Sequence, residues 1–157
     1  MPYPVYLVGC GKTKGPAKTK AKHLYTGQLF RKSYALAERM AERSRTKVFV
    51  LSAKHGLLDP WREVEPYDLA MSHLDAVQRK DWGLRVAGQL KWAVGYASLS
   101  ELRFAVLAGS PYVRALEWGL TEKLSYCPDV QAPLSGMGIG ERLHWLKNQL
   151  AATAPVS

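Results

Sequence analysis

Three short apolar runs, separated by long amphipathic stretches, organise this chain. Residues 3–8 (YPVYLV), 48–51 (VFVL) and 104–107 (FAVL) have the near-continuous hydrophobicity of strands buried on both faces, and a weaker run over 126–132 supplies a fourth. Between them the apolar spacing turns helical. Residues 27–43 place Leu29, Leu36 and Met40 on one stripe, with Phe30, Tyr34, Ala37 and Ala41 beside it and Thr26 at the N-cap. The longest helix is expected over 73–96, capped by Ser72, with Val77, Leu84, Ala87, Leu90 and Val94 inward and Trp82 and Trp92 sealing its edge. Gly83, Gly88 and Gly95 allow a bend there. A further helix starts beside Pro111 and runs to about Leu124, and a glycine-rich turn over 133–140 leads into a last helix at 141–150. Residues 151–157 read as a frayed tail.

Strands alternating with helices predict an α/β fold: one domain over 1–157, a three-layer α/β/α sandwich around a short, mainly parallel four-stranded sheet in the order 2-1-3-4. Ligands of such sheets sit beyond the carboxyl ends of the strands. The expected order brings three strand exits, residues 9–14, 52–59 and 109–112, to one edge.

Charge changes this picture. Residues 12–47 hold eleven Lys or Arg against two Glu, a surplus equal to the whole formal charge of +9. A basic face so concentrated attracts polyanions, because phosphate contacts release counterions. The partner expected is therefore nucleic acid, with a phosphorylated small molecule as the other choice. Residues 11–24 form a basic loop expected to order only on such a ligand. No apolar run is long enough to span a bilayer and no signal-peptide pattern opens the chain, so a cytoplasmic protein without a membrane partner is expected. Cys10 and Cys127 lack companions at ligand spacing; neither disulfide nor metal nor cofactor is expected. The oligomeric state is not legible.

Two phosphate motifs fail at the first strand exit. A P-loop needs glycine where Tyr6 stands, and a dinucleotide fingerprint needs one where Lys14 stands. What remains is a turn, Gly9-Cys10-Gly11, whose successive N–H groups can form an anion nest beside lysines.

The motifs Cys10-Gly11-Lys12-Thr13-Lys14, residues 24–30 (LYTGQLF), residues 51–57 (LSAKHGL), Pro66-Tyr67-Asp68, Leu107-Ala108-Gly109 and residues 133–140 (PLSGMGIG) resemble an uncharacterised bacterial and phage domain family. That family is distantly similar to the YaaA peroxide-stress proteins, which are associated with DNA binding. Through them it is similar to the uracil-DNA-glycosylase-like fold, including related domains of tRNA transglycosylase and archaeosine enzymes. The resemblance implies a DNA partner, in preference to RNA, and a DNA glycosylase-like hydrolase of base-excision type. The Gly-Gln-Asp-Pro-Tyr motif by which uracil-DNA glycosylases activate water does not occur here.

Breaking an N-glycosidic bond calls for a carboxylate, a donor to the departing base and a surface on which that base stacks. Asp59 or Asp68 supplies the carboxylate, His55 or Lys54 the donor, and Tyr25, Trp61 or Tyr67 the surface. Lys54 can alternatively attack the sugar as an amine. Cys10, Gly11, Lys12, Thr13, Lys14, Ser52, Gly109, Ser110 and Tyr112, together with Tyr25, form the expected phosphate and nucleic-acid contacts. Each acid and base also has a plainer role: Asp59 in starting a turn, His55 in satisfying a loop carbonyl, Asp68 in capping a helix. Two other functions fit the same residues, a non-catalytic DNA-binding protein of stress or phage response and an enzyme of free nucleotides or nucleosides.

Overall fold

The computed structural model describes residues 4–94, 102–125 and 128–153. Its elements are strands β1 (Pro4–Gly9), β2 (Thr19–Lys20), β3 (Val48–Ser52), β4 (Gly56–Leu58), β5 (Glu63–Val64), β6 (Arg103–Leu107) and β7 (Asp129–Gln131). The helices are α1 (Ala21–Leu24), α2 (Gln28–Ser44), α3 (Ala76–Val94), α4 (Ser110–Leu124) and α5 (Ile139–Ala152).

The main sheet runs β4-β3-β1-β6-β7. Its four parallel strands keep the order expected for the apolar runs, and β4 adds a fifth, antiparallel to β3. The four-strand expectation is thus corrected. Gly56, at φ +72, turns the chain straight back after β3, a conformation that strains any side chain.

Alternation along each strand divides the interior into two cores. Val5 and Leu7 of β1, Leu51 of β3 and Phe104 and Val106 of β6 face α3 and α4, whereas Tyr6, Val8, Val50 and Leu107 face α2 and α5. The α3–α4 crossing is close because both helices carry glycine there. A methyl carbon at Gly83 would stand 2.1 Å from the Ala115 carbonyl oxygen, and one at Gly119 2.1 Å from that of Gly83. Gly83 is therefore a packing position, and not a bend.

Local chemistry moves several boundaries. Gly27, not Thr26, is the N-cap of α2. The long helix begins at Ala76 because Asp75 and Gln78 exchange hydrogen bonds (Asp75 N–H to Gln78 Oε1, 2.9 Å; Gln78 N–H to Asp75 Oδ1, 2.8 Å), which leaves Ser72 and His73 in a 3-10 turn over Met71–His73. Val77 and Trp92 are exposed, Trp92 to 85%, while Trp82 is buried with its indole N–H on the Ser52 carbonyl at 2.8 Å. Helix α5 continues through Ala152, past the expected end at Leu150. Gly95, Tyr96, Tyr126, Cys127 and residues 154–157, which enter the expectations above, lie outside the described residues.

The basic loop is a built arm, contrary to expectation. Lys14 bridges Tyr25, Gly15 N–H donates to the Leu24 carbonyl at 2.9 Å, and Thr26 N–H donates to that of Thr13 at 3.0 Å. Farther along, β2 pairs antiparallel with β5, and the N–H groups of Ala21 and Lys22 donate to the carbonyls of Arg62 and Pro60.

Candidate functional site

A cavity of about 370 Å³ opens at the carboxyl ends of β1 and β6. From β1 the chain crosses to β3 on one side, and β6 lies on the other; the strand order reverses at this point, which leaves a crevice. One wall is the β1 exit, Gly9-Cys10-Gly11 followed by Lys12 and Lys14. The facing wall is Ala108, Gly109 and the first turn of α4 with Tyr112. The two exits sit tightly side by side, since a methyl carbon at Gly9 would come 2.8 Å from Ala108 Cβ. The loop after β5 brings in Asp68 and His73, and α5 contributes Arg142.

Behind this opening stands a tyrosine network. Cys10 Sγ lies 3.2 Å from Tyr112 OH. Tyr67 OH is 2.5 Å from Tyr25 OH and 2.6 Å from Ser52 Oγ, and Ser52 Oγ accepts the His55 N–H at 3.1 Å. Burial pushes the Tyr25, Tyr67 and Tyr112 phenols well above their ordinary range, so at neutral pH they act as hydroxyls and not as phenolates. Lys14 Nζ is held by the Lys12 carbonyl at 3.1 Å and sits 4.6 Å above the Tyr67 ring centroid. The His55 ring meets Tyr67 edge-on at 5.3 Å. Burial holds its pKa below the ordinary histidine value, with Arg62, Lys54 and Arg85 adding to the effect.

Arg142 and His73 complete the electrostatics. Arg142 Nε donates to the Met137 carbonyl at 2.9 Å, which fixes the guanidinium against the start of α4: its Nη1 lies 3.3 Å from where a Gly109 Cβ would be. Gly109 is small so that the guanidinium fits. A cation held at the positive end of a helix dipole is unfavourable unless an anion joins it, and Arg142 has no carboxylate partner among the described residues. His73 Nδ1 accepts the Ala70 N–H at 3.1 Å, so the proton of the neutral ring resides on Nε2, where it can be donated. Among the described residues no three His, Cys, Asp or Glu side chains gather as a metal ion requires.

A model of the family of unknown function DUF6884 matches residues 5–148, nearly the whole chain. The chain belongs to DUF6884. No curated protein matches it.

In this DUF6884 chain, Cys10, Gly11, Lys12, Lys14, Gly109 and Tyr112 line this cavity from the β1 and β6 exits, and Asp68 joins them from the loop after β5. Tyr25, Ser52 and His55 are one layer back, linked to it through Tyr67. Lys54 is exposed beside a different hollow and its carbonyl accepts from Arg85, while its Nζ lies 5.7 Å from the Tyr67 ring centroid. Thr13 is exposed and serves the arm through its carbonyl. Ser110 is engaged by the glycine-rich turn, 2.9 Å from Ser135 Oγ and accepting the Gly136 N–H at 3.2 Å. Asp59 is not at this edge: β4 carries the chain back down beside β3, and Asp59 Oδ1 accepts the Trp61 N–H at 2.8 Å in a turn. Trp61 follows it away from the cavity.

Sequence reasoning missed His73 and Arg142. The Asp75/Gln78 capping pair is the signal that would have released His73 from the helix; Arg142 has no comparable local signature.

Proposed function

We propose that the chain is a nucleic-acid-processing enzyme, a DNA glycosylase-like hydrolase that admits a nucleotide unit to the β1–β6 cavity and breaks its N-glycosidic bond. The observation that carries this reading is the sharing of one cavity by a single carboxylate, Asp68, and a cationic rim of Lys12, Lys14 and Arg142. The volume suits a base with its sugar and falls in the usual range for small-ligand sites. Arg142 with the α4 N-terminus takes one phosphate, and Lys12 takes the next. The base lies between Tyr112 and the apolar side chains of Leu29 and Met71, with Lys14 at its edge. Asp68 orients a water molecule toward C1′. The water oxygen bonds to C1′, the C1′–N bond breaks, and its electron pair leaves with the base as an anion, which accepts a hydrogen bond from His73 Nε2–H and takes its proton from solvent on release. The water proton passes to Asp68. The resemblance of its motifs to YaaA proteins and to the uracil-DNA-glycosylase-like fold supports DNA as the substrate and base removal as the reaction.

The test is incubation with labelled DNA oligonucleotides carrying uracil, hypoxanthine, alkylated or hypermodified bases, followed by alkali. Wild type is expected to release one of these bases, and Asp68→Asn to bind the same strand without releasing it. Absence of release across the panel, with salt-sensitive DNA binding retained, turns the reading to a non-catalytic DNA-binding protein.

A further inference from the structure

Trp61 is 61% exposed and stands clear of the β1–β6 cavity. Two ammonium groups flank it, Lys22 Nζ at 4.2 Å and Lys20 Nζ at 4.9 Å from the ring centroid. The three residues are positioned by backbone pairing. Lys20 is on β2 opposite Glu63 of β5, and the N–H groups of Ala21 and Lys22 donate to Arg62 and Pro60, on either side of Trp61. Lys22 also approaches Glu38 at 3.5 Å, which offsets part of its charge; Lys20 makes no ion pair among the described residues.

We infer that Trp61, with Lys20 and Lys22, is a second nucleic-acid contact, a platform on which one base of a single strand stacks while the ammonium groups hold its flanking phosphates. The inference rests on the nucleic-acid reading above and adds a site to it. Stacking of a base on an aromatic ring is worth more than an exposed cation–π contact, so an arriving base displaces a lysine from the ring face and sends its charge to the backbone. An acidic protein surface would use the lysines but gain little from the indole. The arm that ends at this platform begins at Lys14, over Tyr67 at the cavity rim. Six Cα–Cα steps separate Lys14 from Lys20, so the two backbone points lie within about 22 Å, at most about six nucleotides at duplex spacing.

The experiment measures binding of a fluorescent, unmodified twelve-nucleotide single strand to the intact chain, to Trp61→Ala, to Trp61→Phe and to the Lys20→Gln/Lys22→Gln double variant over a range of salt. The expected result is affinity lowered roughly tenfold by Trp61→Ala and largely kept by Trp61→Phe. The lysine pair is expected to reduce the slope of log K against log salt by about 1.4. Equal affinity of Trp61→Ala and wild type, or equal Trp61 dependence with an abasic strand of the same length, overturns the platform. Base release in the presence of unaltered Trp61→Ala binding overturns the platform alone. Trp61-dependent binding with no base release from the modified-base panel leaves the platform standing and removes the catalytic reading.

Discussion

Replacing Gly83 by alanine tests the close α3–α4 crossing against the ordinary behaviour of helical glycine. On propensity alone the change favours the helix by about 1 kcal/mol. At this position the new methyl would lie 2.1 Å from the Ala115 carbonyl oxygen and 2.9 Å from its carbon, whereas carbon–oxygen contacts settle near 3.3 Å or more. The obstacle is backbone, so no rotamer relieves it, and the helices must part by about 1 Å. Overpacking of this kind costs up to about 3 kcal/mol. The net loss is then about 2 kcal/mol, or a fall of roughly 4–8 °C in Tm for a chain of this size. Gly88 is the internal control: it lies on the same helix with nothing within 4 Å of its would-be methyl, so Gly88→Ala is expected to stabilise by about 0.5–1 kcal/mol. Urea and thermal melts followed by circular dichroism measure both. If Gly83→Ala is as stable as Gly88→Ala, the crossing is not as described, and the argument from glycine contact fails.

The remaining predictions concern the site and its support. His55 has its pKa lowered in the fold, so below about 6.5 the unfolded chain takes up its proton first and stability declines as pH falls through that window. Urea midpoints compared at pH 7.5 and 5 should show this decline blunted in His55→Gln; an unchanged pH profile would contradict it. Ser52→Ala removes an oxygen that accepts the His55 N–H and meets Tyr67 OH in a fully buried position. It is expected to lose about 1–3 kcal/mol by chemical denaturation, and a loss under 0.5 kcal/mol would mean that the network is not closed. Asp59→Asn keeps an acceptor for the Trp61 N–H in an exposed turn away from the cavity, so base release should match wild type; a loss of release as large as that of Asp68→Asn would reverse the two carboxylates' assignments.

Strand identity and order were legible because the runs ending at Val8, Leu51 and Leu107 are continuous and apolar, which is what burial on both sheet faces demands. The convergence of Cys10, Lys12, Gly109 and Tyr112 follows from that order. β4 was illegible: Gly56-Leu57-Leu58 is too short to show a period, and the reversal depends on one positive φ. That single turn explains why Asp59, four residues past His55, lies away from the cavity edge. Trp92 and Val77 obeyed helical spacing yet face outward, because spacing gives a stripe without saying where the partner helix sits. The network through Tyr67 could not be read either, since it joins Tyr25, Ser52 and Tyr67 from three separate segments.

The fastening of residues 11–24 by backbone pairing has a kinetic and thermal consequence. Lys14, Lys20 and Lys22 are carried on paired backbone, so if a polyanion settles there as proposed it need not freeze a wandering chain. Affinity then responds to ionic strength far more than to the entropy of loop closure, and ligands whose charges match the spacing of these lysines are discriminated from those whose charges merely add up to the same total.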